Sequence, residues 1–182
     1  PMPDDLRMPY AVADARQKFR IASENPDKQE VVRRIVRRHA DEPTLIIGMY
    51  VEQLQQIARE LKVPLITGST SQRKRDELFE KFKTGEVHVL AVSKVANFAV
   101  DLPDAAVAIQ VSGTFGSRQE EAQRLGRILR PKPGRNQAHF YTLVSRDTVE
   151  QDFALRRQLF LCEQGYTYEI ADADETAGWT NG

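Results

Sequence analysis

The sequence of 182 residues has one cysteine, Cys162, one tryptophan and three histidines, His39, His88 and His139, set far apart. A lone thiol excludes an intramolecular disulfide, and histidines this scattered form no metal-ligand pattern. Net charge is also absent: Lys+Arg and Asp+Glu number 26 each, so any attraction to a polyanion must come from local placement. No apolar run approaches the roughly 18 to 20 residues of a membrane span. The start, Pro1-Met2-Pro3-Asp4-Asp5, lacks the basic and apolar regions of a signal peptide. These absences predict a protein of a reducing, aqueous compartment with no membrane partner, cytoplasmic in a bacterium or nuclear in a eukaryote. The excess of arginine over lysine, with abundant alanine, points to a high-GC bacterium. Because the first residue is Pro1, the chain is read as part of a longer polypeptide.

What is present is a hydrophobic content of 41% and a charged content of 29%, enough for one sizeable core. From residue 25 onward, short apolar runs alternate with segments of helical period, which predicts an α/β domain with a parallel sheet between helices. Asn25-Pro26 caps a helix with Val31, Val32, Ile35 and Val36 on one face and Arg33, Arg34, Arg37 and Arg38 on the other. Strands are expected at Thr44 to Met49, Pro64 to Thr67, Val87 to Val92, Ala105 to Val111 and Ala138 to Val144. Helices are expected over Val51 to Leu61 and Gln72 to Lys83, the second capped by Thr70 or Ser71. Capping boxes at Ser117-Arg118-Gln119-Glu120 and Asp147-Thr148-Val149-Glu150 open two more helices. Pro131 stops the first of these near Arg130 and Gly165 the second, on which Cys162 is expected to pack. The domain is thus residues 25–170, with 1–24 an extension or inter-lobe linker and 171–182 a tail.

The segment with most chemistry is Gln123-Arg124-Leu125-Gly126-Arg127-Ile128-Leu129-Arg130. At about 100° per residue, Gln123, Arg127 and Arg130 share a narrow sector, opposite Ala122, Leu125, Ile128 and Leu129. Gly126 between them costs about 1 kcal/mol relative to alanine, which implies a close approach. Two guanidiniums on one face repel unless an anion or carboxylate lies nearby, and their forked donors suit phosphate oxygens. On this helix alone, the alternative is a pair of arginines bonded to surface carboxylates.

That segment resembles motif VI of superfamily 2 helicases, and its neighbours resemble the other motifs in order. Thr44-Leu45-Ile46-Ile47-Gly48-Met49-Tyr50 is similar to motif IV, Gly68-Ser69-Thr70-Ser71-Gln72 to motif IVa, and Ser93-Lys94-Val95 through Asp101-Leu102-Pro103 to motif V. The run from Ser117 to Arg127, with Asp101-Leu102-Pro103-Asp104-Ala105, Leu143-Val144-Ser145-Arg146-Asp147-Thr148 and Arg157-Gln158-Leu159-Phe160-Leu161, is similar to the XPB family in particular. The resemblance covers residues 44–170. It departs at Ala96, where the family often has glycine, and residues 1–24 are too few for the thumb-like insertion of that family.

The resemblance implies a single RecA-like domain, the second motor lobe of a DNA helicase or translocase. No Gly-x-x-x-x-Gly-Lys-Ser/Thr loop and no Asp-Glu-x-His box occurs in the sequence. ATP and Mg²⁺ would therefore be bound mainly by a first lobe of the same polypeptide, and this chain alone should be inactive. By resemblance Arg130 is the first choice for an arginine finger, with Arg127 beside it and Gln123, Gly126 and Asp101 lining the ATP cleft. Thr70, Ser71, Gln72, Ser93, Lys94 and Tyr50 would meet the DNA backbone. The Thr70-Ser71-Gln72 and Ser93-Lys94 loops should be neighbours on the carboxyl edge of the sheet. Expected partners are DNA, the first lobe, and a repair nuclease or transcription factor. The rival readings are a non-enzymatic module binding DNA or a repair partner through the same surface, and a different superfamily 2 lobe, such as a remodeller or restriction translocase.

Overall fold

The computed structural model describes residues 1–93, 103–112, 126, 128–130, 134, 137–163, 165, 167 and 169–178. Five strands form one wholly parallel sheet in the order β2-β3-β1-β4-β5, with β1 Thr44–Gly48, β2 Leu65–Ile66, β3 Val89–Ser93, β4 Val107–Gln110 and β5 His139–Thr142. Each strand is shorter than its apolar run by a residue or more, and β3 begins two residues later than expected and ends one later, at Ser93. The central strand β1 is buried throughout, as a parallel strand covered on both faces must be.

Alternate strand residues feed two cores. Ile46, Ala91, Val107 and Ile109 pack with Val32 and Ile35 of α3 (Asp27–Arg38) and with Leu54 and Ile57 of α4 (Val51–Leu61). Leu45, Ile47, Leu90 and Val92 face the opposite way, toward Leu78, Phe79 and Phe82 of α5 (Gln72–Thr84) and toward Ile128. The period-2 alternation of the strands thus meets the helical stripes on both sides.

Residues 1–24 fold as two helices, α1 (Asp4–Val12) and α2 (Ala15–Ser23), bonded to the lobe. The Tyr10 hydroxyl accepts from the Val149 N–H at 2.8 Å, and Gln53 Nε2 donates to the Ser23 carbonyl at 2.7 Å. Asn25 caps α3 by accepting from the Asp27 N–H at 3.0 Å. On the basic face of α3, Arg33 and Arg34 bond Glu30, and Arg34 also donates to the Ala173 carbonyl at 3.0 Å, docking the residues before a short 3₁₀ turn at Glu175–Gly178.

The last helix, α6 (Val149–Glu163), corrects two expectations. Its capping box is shifted by one residue: Thr148 Oγ1 accepts from the Glu150 N–H, while the Gln151 side chain reaches back to the Asp147 N–H at 3.0 Å. Glu150 is released from capping and turns into the interior. Cys162 is exposed rather than packed. The buried positions Glu150, Arg157 and Leu161 form one stripe, and Cys162 lies a further 100° round the helix. Gly165 ends the helix with φ +84°, as expected, its N–H bonding the Cys162 carbonyl.

Candidate functional site

The parallel register brings the carboxyl ends of all strands to one edge. Ile66 pairs with Val92, so Thr67 and Ser93 leave their strands side by side although 26 positions apart. The expected adjacency of the two loops is therefore present as far as Ser93. Lys94 and Asp101 lie outside the described residues.

The Thr67–Thr70 turn is held from within. The Thr70 N–H donates to the Thr67 carbonyl at 3.1 Å, the Thr67 N–H to Thr70 Oγ1 at 2.9 Å, and the Thr67 and Ser69 hydroxyls bond at 2.9 Å. It is also held from α5, where Arg75 spreads its guanidinium over the carbonyls of Thr70, Thr67 and Gly68 at 3.0, 3.2 and 3.1 Å. Three carbonyls turned inward onto one buried cation leave the outer side of the turn to N–H and hydroxyl groups. Ser71 caps α5, its hydroxyl accepting from the Lys74 N–H, and Ser71 and Gln72 are exposed. The first-turn N–H groups of α5 have no acceptor within the helix and carry the positive end of its dipole. Sequence reasoning missed Arg75, although its spacing before Leu78, Phe79 and Phe82 puts it on their buried face.

Unlike Ser71 and Gln72, Ser93 is fully buried, so its side chain supports the carboxyl end of β3 instead of meeting solvent. Tyr50 is half-buried and begins α4 on the same edge, but two strands away from Thr67, about 10 Å at the usual strand spacing. The Arg20 guanidinium stands 5.6 Å from its ring centroid. Burial and then the Glu24 carboxylate raise the Tyr50 hydroxyl above its ordinary pKa. This ring is part of the packing between α2 and α4 as well as of the edge.

The arginine segment reaches the opposite edge. Gly126 and Ile128 are helical, but Leu129 pairs with Ala105 as a parallel bridge, so Arg130 has left the helix. Its N–H donates to the Ala105 carbonyl at 2.8 Å, and the Ala105 N–H donates to the Ile128 carbonyl at 2.9 Å. The expectation that Arg130 continues a helical face is thus corrected. Bonding to the amino end of β4 competes successfully with a last helical turn that Pro131 could not prolong. Gly126 is exposed and close to the helix end, where the propensity cost of glycine is smaller than in the interior. Gln123 and Arg127 lie outside the described residues.

The Arg130 side chain is 61% exposed, and its Nε stands 3.8 Å from Asp104 Oδ1, too long for a hydrogen bond. A fork with a fixed backbone and a loosely held head suits an incoming phosphate. Among the described residues, no group of three or more His, Cys, Asp or Glu side chains is placed to hold a metal ion. No helix is long and apolar enough to cross a membrane, among those same residues.

Residues 1–179 match the ERCC3/RAD25/XPB C-terminal helicase family. A relative from Kineococcus radiotolerans, named DNA 3'-5' helicase XPB, is 55% identical over 177 residues, covering 97% of this chain and 32% of the relative. The Drosophila melanogaster general transcription and DNA repair factor IIH helicase/translocase subunit XPB is 38% identical, covering 93% of this chain and 22% of its own length. The fold is that of the C-terminal domain of the DEAD-box protein Dbp5, with a TM-score of 0.64 at 16% identity over 78% of this chain and 82% of that one. The chain spans about a third of the length of the bacterial relative. The family match over nearly every residue, on a RecA-like parallel sheet with these loops at its edges, shows that the chain belongs to the ERCC3/RAD25/XPB C-terminal helicase family.

Proposed function

We propose that this chain is the C-terminal motor lobe of an ATP-dependent DNA helicase or translocase of the XPB type, acting in DNA repair or transcription-coupled remodelling. The 3'-5' direction in the name of the bacterial relative is taken into the proposal. The observation that carries it is Arg130, exposed at the amino end of β4 with its backbone held by Ala105.

Hydrolysis of ATP between two lobes needs a phosphate cradle on one side and positive charge brought to the γ-phosphate from the other. The second requirement is what this chain supplies. Arg130, with Arg127, would neutralise charge on the transferring phosphoryl group, and Gln123, Gly126 and Asp101 would line the same cleft. Mg²⁺, when bound, offsets charge on the phosphate oxygens, and it would be held by the first lobe. On the carboxyl edge, Thr70, Ser71 and Gln72 would bond phosphates of the DNA strand through hydroxyls and first-turn N–H groups. Lys94 would add a charge and Tyr50 a polar contact, with Ser93 holding the loop base. ATP and DNA would then meet opposite edges of one sheet.

In the full-length protein, Arg130→Ala should lower kcat for ATP by on the order of 10³ to 10⁵, with DNA affinity little changed. Unchanged hydrolysis would leave Arg130 a structural residue and favour a DNA-binding module without an ATP cycle.

A further inference from the structure

A buried polar cluster lies at the carboxyl end of β4, apart from the residues proposed to meet ATP and DNA. Lys28 in the first turn of α3 is 4% exposed. Its Nζ donates to the Val111 carbonyl at 3.0 Å and to both Glu150 carboxylate oxygens at 2.9 Å. An ammonium has three N–H donors, and these contacts use them all. Glu150 also accepts from the Ser23 hydroxyl and from the Ser145 N–H, each at 2.9 Å. Four segments meet on this pair: the end of α2, the start of α3, the end of β4 and the start of α6.

Stability alone does not account for such a pair, since apolar side chains of similar size in its place are often as stable or more so. What apolar side chains cannot do is donate to the Val111 carbonyl. That carbonyl stands where the chain leaves β4, and the next segment of sequence is the one that carries Gln123, Arg127 and Arg130. The same segment returns to the amino end of β4, where Ala105 bonds Ile128 and Arg130. The described residues on either side of it are thus held at the two ends of one strand, Ile128 and Arg130 by backbone pairing with Ala105 and Val111 by Lys28. Ser112 strengthens the second attachment, its hydroxyl accepting from the Met49 N–H at 3.0 Å.

We propose that Lys28, held by Glu150, is a positioning residue for ATP turnover, fixing the carboxyl end of β4, the strand whose amino end holds the Arg130 backbone. The inference rests on the helicase reading given above. Because residues 1–24 also bond the cluster through Ser23, the chain preceding α3 bears on the same point.

The test uses the full-length protein carrying Lys28→Met with Glu150→Met, which removes both charges together and leaves neither unpaired. Small misplacements remote from the chemistry cost rates of about tenfold to a hundredfold, so the DNA-stimulated kcat should fall by at least about tenfold. KM for ATP and DNA affinity should stay within about twofold, because binding groups are untouched. Lys28→Arg, which keeps donors for both acceptors, should recover most of the rate. A folded methionine pair with the wild-type kcat overturns the proposal, as does a Lys28→Arg variant no faster than that pair. Should the methionine pair not fold, Ser23→Ala loosens Glu150 while leaving the ion pair. Its kcat should fall about threefold while the protein stays folded by circular dichroism at the assay temperature, and a wild-type kcat there also overturns the positioning role. A wild-type protein lacking any DNA-stimulated ATPase would instead count against the helicase reading itself.

Discussion

Gly48 ends β1 where α4 folds back over the sheet. A Cβ at this position would stand 3.0 Å from Leu54 Cγ and Cδ2 and 3.0 Å from Val111 Cγ2. Leu54 and Val111 are both fully buried, so neither can give way without moving the core or the end of β4. Gly48→Ala should therefore cost about 1 to 3 kcal/mol, the usual range for overpacking. Urea unfolding would register it as a lower midpoint at unchanged slope, and an unchanged midpoint would mean that the strand and helix can separate freely. At this scale the sequence was least informative. Gly48 is legible as the end of an apolar run, but the contacts that require glycine come from residues far along the chain. Lys28 precedes Val31, Val32 and Ile35 by three, four and seven positions, so its place on the buried face was legible, though its partner was not, and Glu150 reads as part of a helix cap. Their pairing spans 122 positions, and no local period signals it. Arg130 stood out through family resemblance, whereas helical geometry alone gave it the wrong surroundings.

At the scale of elements, periodicity served better where helices are long and amphipathic. The predicted bounds of α4 coincide with the observed ones, and α5 differs by one residue. The strands were placed correctly but drawn too long, since apolar character continues beyond the paired residues, as at Val111, which covers the core one position past β4. Residues 1–24 were set aside because the alternation of strands and helices begins after them. Their helices are short, and α1 buries no residue of its own, so their register carries little signal. The element proposed to meet DNA is the turn before α5, whose shape depends on Arg75. Lysine would keep the charge there but cannot spread donors over three carbonyls as a planar guanidinium does. In the full-length protein, Arg75→Lys should weaken DNA binding several-fold, roughly 1 kcal/mol for the lost hydrogen bonds. The dependence of affinity on salt should be unchanged, because Arg75 is buried and releases no counterion. A reduced salt slope would place Arg75 itself on the phosphates.

For the whole molecule, the five parallel strands separate two kinds of chemistry. The turn at Thr67–Thr70 and the start of α5 lie on the carboxyl edge, and Arg130 lies at the amino end of β4. The three central strands that span the two edges, β3, β1 and β4, are almost wholly buried, which suits a lobe that would move as a rigid body against a partner lobe. On the proposed reading such a body would supply one half of a hydrolytic site. Its guanidiniums can offset charge on a phosphate, but the sequence has no glycine-rich loop whose N–H groups would cradle a triphosphate. The purified 182-residue chain should accordingly show no DNA-stimulated ATPase above background and only weak ATP binding. The longer polypeptide should hydrolyse ATP when DNA is added, and Arg130→Ala should abolish that gain. Phosphate release measured side by side on the chain, the longer protein and the variant decides the matter. Turnover by the chain alone that persists at constant specific activity through further purification would mean that it holds a complete nucleotide site, and the division of labour between two lobes would have to be abandoned.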